Sequence, residues 1–255
     1  MEKSQECFVL FIDIMGFADF VDTNEAEYVR KYLSDLISMV NEINETNERF
    51  FGYNVSIFSD SIVLSIPKEN NIIELHKFLM YVNNLQLMNI VKLELGELPL
   101  RGAITEGEFF TDNKNLIFGK ALVTAHKIES KFACYPRIIV NSDELHPEKA
   151  RKAAERINFF FKTSKSEPIE FNEYSHSVRL DSDGLLHCNY LSVLRESSGS
   201  KWRGYFQDYI EKHKNFIIKK LKEASSNRVA EKYYWMTEYH NWFCSGFEEL
   251  QHYKI

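Results

Sequence analysis

The chain has 255 residues, of which 44% are hydrophobic and 14% aromatic, so it can form a folded core and is not a disordered protein. Its net charge of −6 argues against a general nucleic-acid-binding protein, whose surface would be basic. The N-terminus lacks the apolar segment of a signal peptide, and no apolar run reaches the ~18–20 residues of a membrane span. The four cysteines follow no paired spacing, which predicts free thiols and a cytoplasmic protein.

The hydrophobic pattern predicts a regular series of elements up to residue 141. These are a strand (7–14), a helix (24–45), two strands (53–58 and 62–66), a helix (70–93), a strand (99–110), a helix (118–131) and a strand (137–141). The order β-α-β-β-α-β, followed by αβ, is typical of an α+β, ferredoxin-like fold with an antiparallel sheet and helices on one face.

Beyond residue 141 the pattern is less regular. It predicts a short helix (142–156), a strand (157–161), a turn at 181–184 between two short strands, and two helices after residue 200 that are separated near Ser225-Ser226. We therefore predict a domain over 1–195, with its core at 7–141, and a C-terminal helical extension over 196–255. The aromatic stretch KYYWMTEYHNWF (232–243) favours packing or an interface.

A carboxylate interrupts the first predicted strand, FVLFIDI, at Asp13. An unpaired buried carboxylate is costly, so the group must be neutralised, paired or bound to a metal. Asp60 lies in the turn between the second and third strands, and this fold places the first and third strands side by side. Two carboxylates at adjacent strand ends suit Mg²⁺ or Mn²⁺, and such a pair can hold two ions about 3.5–4 Å apart. The alternative is that Asp13 pairs with an arginine and Asp60 is an ordinary turn residue.

Several residues near this pair are candidates for phosphate binding. Gly16 lets the backbone approach a ligand closely, and the amides at Gly16 and Phe17 precede a helix. Arg101, in PLRGAITEG, is a candidate partner either for a triphosphate or for a metal-site carboxylate, or is a solvated strand-edge residue. Lys120 and Lys127 lie on the third predicted helix, where lysines are usually solvated. The sequence contains neither a zinc-ligand cluster nor a P-loop or nucleophile-elbow motif.

Four segments, in order, resemble the catalytic segments of class III nucleotidyl cyclases over residues 7–141: FIDIMGFADF, FSDSIVLS, RGAITEG and FGKALVTAHKIES. The strand motif of that family is matched by Phe11, Asp13, Ile14, Gly16 and Phe17, and its second metal aspartate by Asp60. The resemblance implies that Asp13 and Asp60 are catalytic and hold two Mn²⁺ or Mg²⁺ ions, with the Ile14 carbonyl as a further ligand.

The departures from the family pattern concern recognition of the base. Ser56 stands where purine-specific members carry a base-reading lysine, and Leu116 stands at the position of their aspartate. The transition-state asparagine and arginine are replaced by Val123 and Lys127, and a lysine keeps the charge but not the bidentate fork of arginine. The residues that recognise adenine in that family are therefore missing.

The segments FSDSIVLS, RGAITEG, FGKALVTAHKIE and KYYWMTEYHNWF resemble the bacterial Pycsar pyrimidine cyclases, which make cyclic UMP or cyclic CMP in anti-phage defence. This resemblance implies a homodimer with composite active sites and a separate effector that senses the cyclic nucleotide. A smaller base needs a filled pocket. Tyr53, beside the hairpin strand, is the candidate for filling it, although it is equally well explained as an ordinary strand aromatic.

The resulting hypothesis is a uridylate cyclase, a lyase that converts UTP to 3′,5′-cyclic UMP and pyrophosphate by in-line attack. Nothing in the residues separates UTP from CTP, so cyclic CMP is the first alternative. The second alternative is a cyclase-like module that binds nucleotide without catalysis, a hypothesis that Val123 and Lys127 favour and the intact Asp13–Asp60 pair opposes.

Overall fold

The computed structural model describes residues 4–47, 54–68, 72–92, 98–112, 116–140, 151–155, 157, 174, 176–196 and 203–255. The strands are β1 (Gln5–Ile14), β2 (Asn54–Phe58), β3 (Ser61–Pro67), β4 (Leu100–Thr111), β5 (Ile117–Phe118), β6 (Ile138–Val140), β7 (Val178–Leu180) and β8 (Leu186–Cys188). The helices are α1 (Phe17–Thr23), α2 (Ala26–Asn47), α3 (Ile72–Val91), α4 (Lys120–Phe132), α5 (Arg203–Glu223) and α6 (Asn227–Ser245). Short helical segments lie at Tyr190–Ser192, Val193–Glu196 and Glu248–Tyr253.

The strands form one sheet in the order β2-β3-β1-β4-β6-β8-β7, and β5 pairs with the end of β4. β1 is central and runs antiparallel to both β3 and β4. The first four strands and their connecting helices are therefore the predicted ferredoxin-like βαββαβ unit, and the α+β prediction is confirmed. β6 adds to β4 in parallel, so the sheet is not wholly antiparallel.

Side chains of β1 alternate between two cores because successive residues of a strand point to opposite faces. Leu10 and Ile12 pack with α2 and α3 on one face. Val9 packs on the opposite face, where Ala121 lies on α4. The expectation of helices on one face is thus wrong. The apolar stripe of α4 is small enough to lie directly on the sheet, since Ala121 and Ala125 are fully buried.

The C-terminal helices share a core with the sheet domain. Ile90 of α3, Ile210 of α5, and Met236 and Phe243 of α6 belong to one buried cluster. Within KYYWMTEYHNWF the side chains Trp235, Met236, Tyr239, His240 and Phe243 are buried, in agreement with a packing role for this stretch.

Several boundaries differ from the prediction. The predicted helix at 24–45 is preceded by a separate helix, α1, because Asn24 adopts an extended backbone between α1 and α2. Of the strand predicted at 157–161, Ile157 is helical and the other positions lie outside the described residues. The turn at 181–184 joins β7 and β8 as expected. All four cysteines are free. None of the described helices combines the length and apolar character that a membrane span requires.

Candidate functional site

Asp13 lies at the end of the central strand, on the face that packs against α4. Its neighbours at the same register are Ser61 on β3 and Arg101 on β4. The alternation that places Val9 and Phe11 against α4 also directs Asp13 to that side, one residue before the strand ends. Its side chain is only 18% exposed. The sequence therefore does place a carboxylate in a largely desolvated position, as its apolar surroundings predicted.

Asp60 approaches this position from the β2–β3 turn. The amide of Ile14 donates a hydrogen bond of 3.1 Å to the carbonyl oxygen of Asp60. Ser59 occupies the left-handed region, at φ 54°, which reverses the chain just before Asp60. The two carboxylates interact electrostatically, and Asp60 contributes to raising the pKa of Asp13. The structure thus brings Asp13 and Asp60 together, although 46 residues separate them in the sequence.

Arg101 connects Asp13 to a third carboxylate, Glu129. The Nε of Arg101 lies 2.7 Å from Oδ2 of Asp13 and 2.8 Å from Oε1 of Glu129. Asp13 therefore pairs with an arginine, which was the alternative to metal binding. Arg101 is 30% exposed, and among the described residues its two terminal amino groups donate no hydrogen bond. Nε of Arg101 is occupied by Asp13 and Glu129, whereas its two terminal amino groups remain able to bind a ligand anion.

Sequence reasoning missed Glu129. It follows Ala121 and Ala125 at intervals of four on α4, so it lies on the buried stripe of that helix and is only 5% exposed on its side chain. The same signal identified Asp13, which is a carboxylate at a position where the local hydrophobic pattern predicts an apolar residue.

The carboxylates of this site are electrostatically crowded. Burial raises the pKa of Asp13, which Arg101 counteracts and Asp60 increases. Burial also raises the pKa of Glu129, which Arg101 again lowers and Asp13 raises. Three carboxylates thus face one closely bound guanidinium. A group of oxygen ligands with excess negative charge has the donor chemistry of a Mg²⁺ or Mn²⁺ site. No set of three His, Cys, Asp or Glu side chains with metal-binding geometry occurs among the described residues.

A cavity of about 870 Å³ lies beside this site on the α4 side of β2 and β3. The cavity is lined by three of the four positions that depart from the cyclase motifs, namely Ser56, Val123 and Lys127. Its floor includes Phe11, and it reaches Ser61, the register neighbour of Asp13. The volume is in the range of ligand-binding pockets. The altered positions therefore line a cavity that adjoins the end of β1 through Ser61, although none of the three carboxylates lines it.

The remaining predicted residues have other placements. Gly16, with φ 81°, directly precedes α1, and Phe17 is the first residue of that helix, so both lie just beyond the end of β1. Leu116 is exposed before β5, and the cavity is lined by its neighbour Ile117 instead. Lys120 lies at the start of α4 and lines a different, polar cavity. Tyr53 lies outside the described residues.

The C-terminal helix α6 contributes a cation that sequence reasoning also missed. Lys232 is half-buried and interacts electrostatically with Arg101 and Asp13. Burial, then Arg101 and Arg228, lower its pKa, whereas Asp13 and Asp19 act in the opposite direction. Only the packing of α6 on the domain reveals this interaction, because 218 residues separate Lys232 from Asp13.

Comparison with known proteins gives structural similarity alone. The chain is similar to the adenylyl cyclase CyaB from P. aeruginosa, at 15% identity over 56% of this chain and 80% of that chain, with a TM-score of 0.45. It is similar to the guanylate cyclase domain of RhGC from Catenaria anguillulae, solved in complex with GTP, at 14% identity over 54% and 79% of the chains, with a TM-score of 0.43. It is also similar to a dimeric guanylyl cyclase domain of the RhoGC fusion protein from Blastocladiella emersonii, at 14% identity over 74% and 96%, with a TM-score of 0.44. No protein-family model and no curated protein matches the sequence.

Proposed function

We propose that the chain is a pyrimidine nucleotidyl cyclase that converts UTP to 3′,5′-cyclic UMP and pyrophosphate. The observation that carries the proposal is the crowding of Asp13, Asp60 and Glu129 at the end of the central strand beside a nucleotide-sized cavity. Structural carboxylates of an ordinary core would be matched by cations, whereas here negative charge is in excess. The sequence motifs around Asp13 and Asp60, which resemble those of cyclases, support the same function.

Asp13 and Asp60, with the Ile14 carbonyl, would hold two Mn²⁺ or Mg²⁺ ions. When bound, such ions lower the pKa of the attacking 3′-hydroxyl and offset the charge on the leaving pyrophosphate. The reaction forms a bond from the 3′-oxygen to the α-phosphorus and breaks the bond to the bridging oxygen. Pyrophosphate leaves with that electron pair, and the hydroxyl proton passes to solvent. Positioning and electrostatic stabilisation supply most of the rate in such phosphoryl transfers.

Other residues would orient the substrate. The free amino groups of Arg101 can donate to phosphate oxygens, which favours its role as a phosphate ligand that also fixes Asp13. Amides at Gly16 and Phe17 lie at the same end of the sheet, and Lys127 lines the cavity. Ser56 offers a small hydroxyl where a purine reader would stand, and Ile117 rather than Leu116 borders the proposed base pocket, which Tyr53 would fill.

A homodimer with composite active sites is part of this proposal. Phe58 is 82% exposed and lines the cavity together with Val123, which is also exposed. Exposed apolar side chains that line an open cavity favour coverage by another protein surface. A second copy of the chain would cover them and close the cavity over the nucleotide. We further propose that the product acts on a separate effector that senses cyclic UMP, as in Pycsar anti-phage defence.

The proposal is tested by incubating the chain with each of the four nucleoside triphosphates and Mn²⁺ and separating the products by chromatography. Cyclic UMP as the main product is expected, and cyclic CMP would support the alternative substrate. Cyclic AMP or cyclic GMP would overturn the base assignment. No cyclic product from any substrate would leave a nucleotide-binding module, the function that Val123 favours because valine cannot replace a transition-state asparagine.

The metal site has its own test in the thermal stability of the chain. Mn²⁺ is expected to raise the melting temperature of the native chain and of Asp22→Ala, which removes an exposed carboxylate of α1. Asp60→Ala is expected to lose both this stabilisation and the cyclase activity. An equal response of Asp60→Ala and Asp22→Ala to Mn²⁺ would exclude Asp60 as a ligand.

A further inference from the structure

One buried oxygen of the candidate site has no hydrogen-bond donor. Oε1 of Glu129 receives no hydrogen bond from any described residue, although the side chain is buried. Nε of Arg101 lies 2.8 Å from this oxygen, but its single hydrogen points to Oδ2 of Asp13, at 2.7 Å. A buried acceptor without a donor is costly. A second arrangement, in which Nε donates to Glu129 instead of Asp13, would satisfy it.

Helix α4 holds Glu129 in place for this exchange. Ala121 and Ala125 precede it at intervals of four, and their small side chains bring this stripe of the helix close to the sheet. Arg101 is 30% exposed, so its guanidinium has room to turn. Because one nitrogen already contacts both carboxylates, a change of hydrogen-bond partner requires only a rotation of the guanidinium and no movement of the backbone.

A divalent ion at Asp13 would compete with Arg101 for the same carboxylate. Such an ion needs carboxylate oxygens, one of which Arg101 holds, and its charge repels the guanidinium. We propose that Glu129 accepts the Nε hydrogen of Arg101 when a divalent ion binds Asp13, and thereby keeps the arginine in the site. This inference rests on the proposed function, because that function places the ion at Asp13.

Glu129 is then a positioning residue for Arg101. It holds the guanidinium through Nε, so the two terminal amino groups stay available to the phosphate chain. Direct ligation of the ion by Glu129 is the competing role. The described residues contain no set of three carboxylates, histidines or cysteines arranged around a common metal position, which favours the positioning role.

The first test observes the Nε hydrogen of Arg101 in the native chain and does not depend on the folding of a Glu129 variant. NMR of the chain with ¹⁵N-labelled arginine, with and without Mg²⁺, follows this signal, which is assigned by its loss in Arg101→Lys. A hydrogen bonded to a buried carboxylate exchanges slowly with water. Mg²⁺ is expected to shift the signal, because the acceptor changes, while the slow exchange persists. An unshifted signal, or fast exchange once Mg²⁺ is present, would overturn the proposal.

The second test compares the Mg²⁺ affinity of two Glu129 variants by calorimetry. Glu129→Gln and Glu129→Met both remove the charge, but only glutamine keeps an oxygen that can accept the Nε hydrogen. Glu129→Met is expected to bind Mg²⁺ about tenfold more weakly than Glu129→Gln, in line with the loss of a hydrogen bond to a charged group. Glu211→Met, on the exposed surface of α5, is the control and is expected to bind as the native chain does. Equal affinities of the two Glu129 variants would contradict the proposal.

Replacement of Arg101 separates positioning from direct ligation. If Glu129 acts through Arg101, the difference in Mg²⁺ affinity between Glu129→Gln and Glu129→Met vanishes when both are combined with Arg101→Met. If the difference persists in that background, Glu129 acts on the ion itself and the proposed positioning role is wrong.

Inorganic tripolyphosphate, which lacks a base and a sugar, tests the consequence for the phosphate chain. At saturating Mg²⁺, Glu129→Met is expected to bind it more weakly than Glu129→Gln, because Arg101 is no longer held, and equal binding would count against the positioning role. A shifted and slowly exchanging Nε signal without any cyclic product would support the role of Glu129 while refuting the cyclase. A cyclic product with an unshifted signal would refute the role of Glu129 alone, so the two failures are distinguishable.

Discussion

Two arginines of this molecule each join two carboxylates, yet their surroundings differ. In the β1 cluster (Asp13, Arg101 and Glu129), Arg101 is partly exposed and makes both contacts through Nε. In the β6 cluster (Arg137, Asp181 and Asp183), the guanidinium is 1% exposed.

The β6 cluster uses both terminal amino groups of its arginine, while Nε of Arg137 is buried without a hydrogen-bond partner among the described residues. Nη1 of Arg137 donates to Asp181 at 2.7 Å, and Nη2 donates to Asp183. Trp235 donates a further hydrogen bond of 2.7 Å to Asp181, and its ring lies beside the guanidinium. Burial by itself raises the pKa of Asp181, but the interactions with His187, Trp235 and Arg137 outweigh it and lower that pKa. The cluster attaches α6 to the sheet.

The β1 cluster has the opposite balance. The pKa values of Asp13 and Glu129 are raised by burial despite Arg101, and Asp60 adds a third carboxylate. The comparison teaches that an arginine bound to two carboxylates does not by itself mark a structural network. The direction of the carboxylate pKa and the exposure of the arginine's terminal amino groups distinguish a structural cluster from one that is able to receive a ligand.

The largest expected effect comes from removing each arginine. Arg137→Met removes the close ion pair of the buried Asp181 and leaves it Arg179, at 3.9 Å, so it is expected to lower the free energy of unfolding by about 3–5 kcal/mol. Arg101→Met is expected to cost less, since Asp13 and Glu129 already have raised pKa values and can take up protons. Urea unfolding with and without Mn²⁺ measures both.

Mn²⁺ sharpens the contrast between the two variants. It is expected to restore the stability of Arg101→Met, because a divalent ion replaces the lost positive charge among the oxygen ligands. It is not expected to restore Arg137→Met. Equal losses in the two variants, with no response to Mn²⁺ in either, would mean that the two clusters are equivalent structural networks.

Much of the β1 cluster was predictable from the sequence, because strand order follows from the alternation of local elements. The strand around Asp13 and the turn at Asp60 are local patterns, and the βαββαβ order places them together. Glu129 was within reach of the same reasoning on α4. The structure places the predicted site residues other than Tyr53, which lies outside the described residues, and the proposed roles stay predictions.

The β6 cluster and Lys232 were not predictable in this way. Trp235 contacts Asp181 only because α6 packs on β7 and β8, and no local period determines where a helix rich in aromatic side chains on several faces will dock. The parallel addition of β6 to β4, by contrast, was within reach of the sequence, because a strand–helix–strand connection joins parallel strands. Long-range packing therefore limited the prediction.

A smaller effect is expected from pH, with opposite signs in the two regions. His187, fully buried beside Trp235, has its pKa lowered by burial to about 4. Its neutral form stabilises the fold above pH 6.5, and this contribution, about 3 kcal/mol at most, is lost as the pH falls towards 4. Glu129 has a raised pKa, so the stability it provides is present at low pH and falls as the pH rises above its ordinary value.

The native chain is therefore expected to lose stability on acidification from pH 6.5 to 4.5, with part of the loss compensated by Glu129. Glu129→Gln removes the compensating group, so its unfolding free energy should decline more steeply over the same interval. Urea unfolding at several pH values gives both slopes. A flat profile for the native chain would contradict the neutral state of His187, and identical slopes would contradict the raised pKa of Glu129.

The smallest expected effect concerns two glycines with the same left-handed backbone, one beside each cluster. Gly16 follows β1 and Gly184 follows Asp183, and both have φ 81°. Alanine at either position is strained by about 1 kcal/mol, and at Gly16 the added carbon would meet only Leu98, at 3.9 Å, so no clash contributes. Gly16→Ala and Gly184→Ala should thus lower the unfolding free energy by similar amounts. Only Gly16→Ala should also weaken tripolyphosphate binding, because the methyl group occupies the backbone surface proposed to face the phosphates. If both variants bind tripolyphosphate equally well, the turn after β1 serves the fold alone, and phosphate recognition falls to the side chain of Arg101.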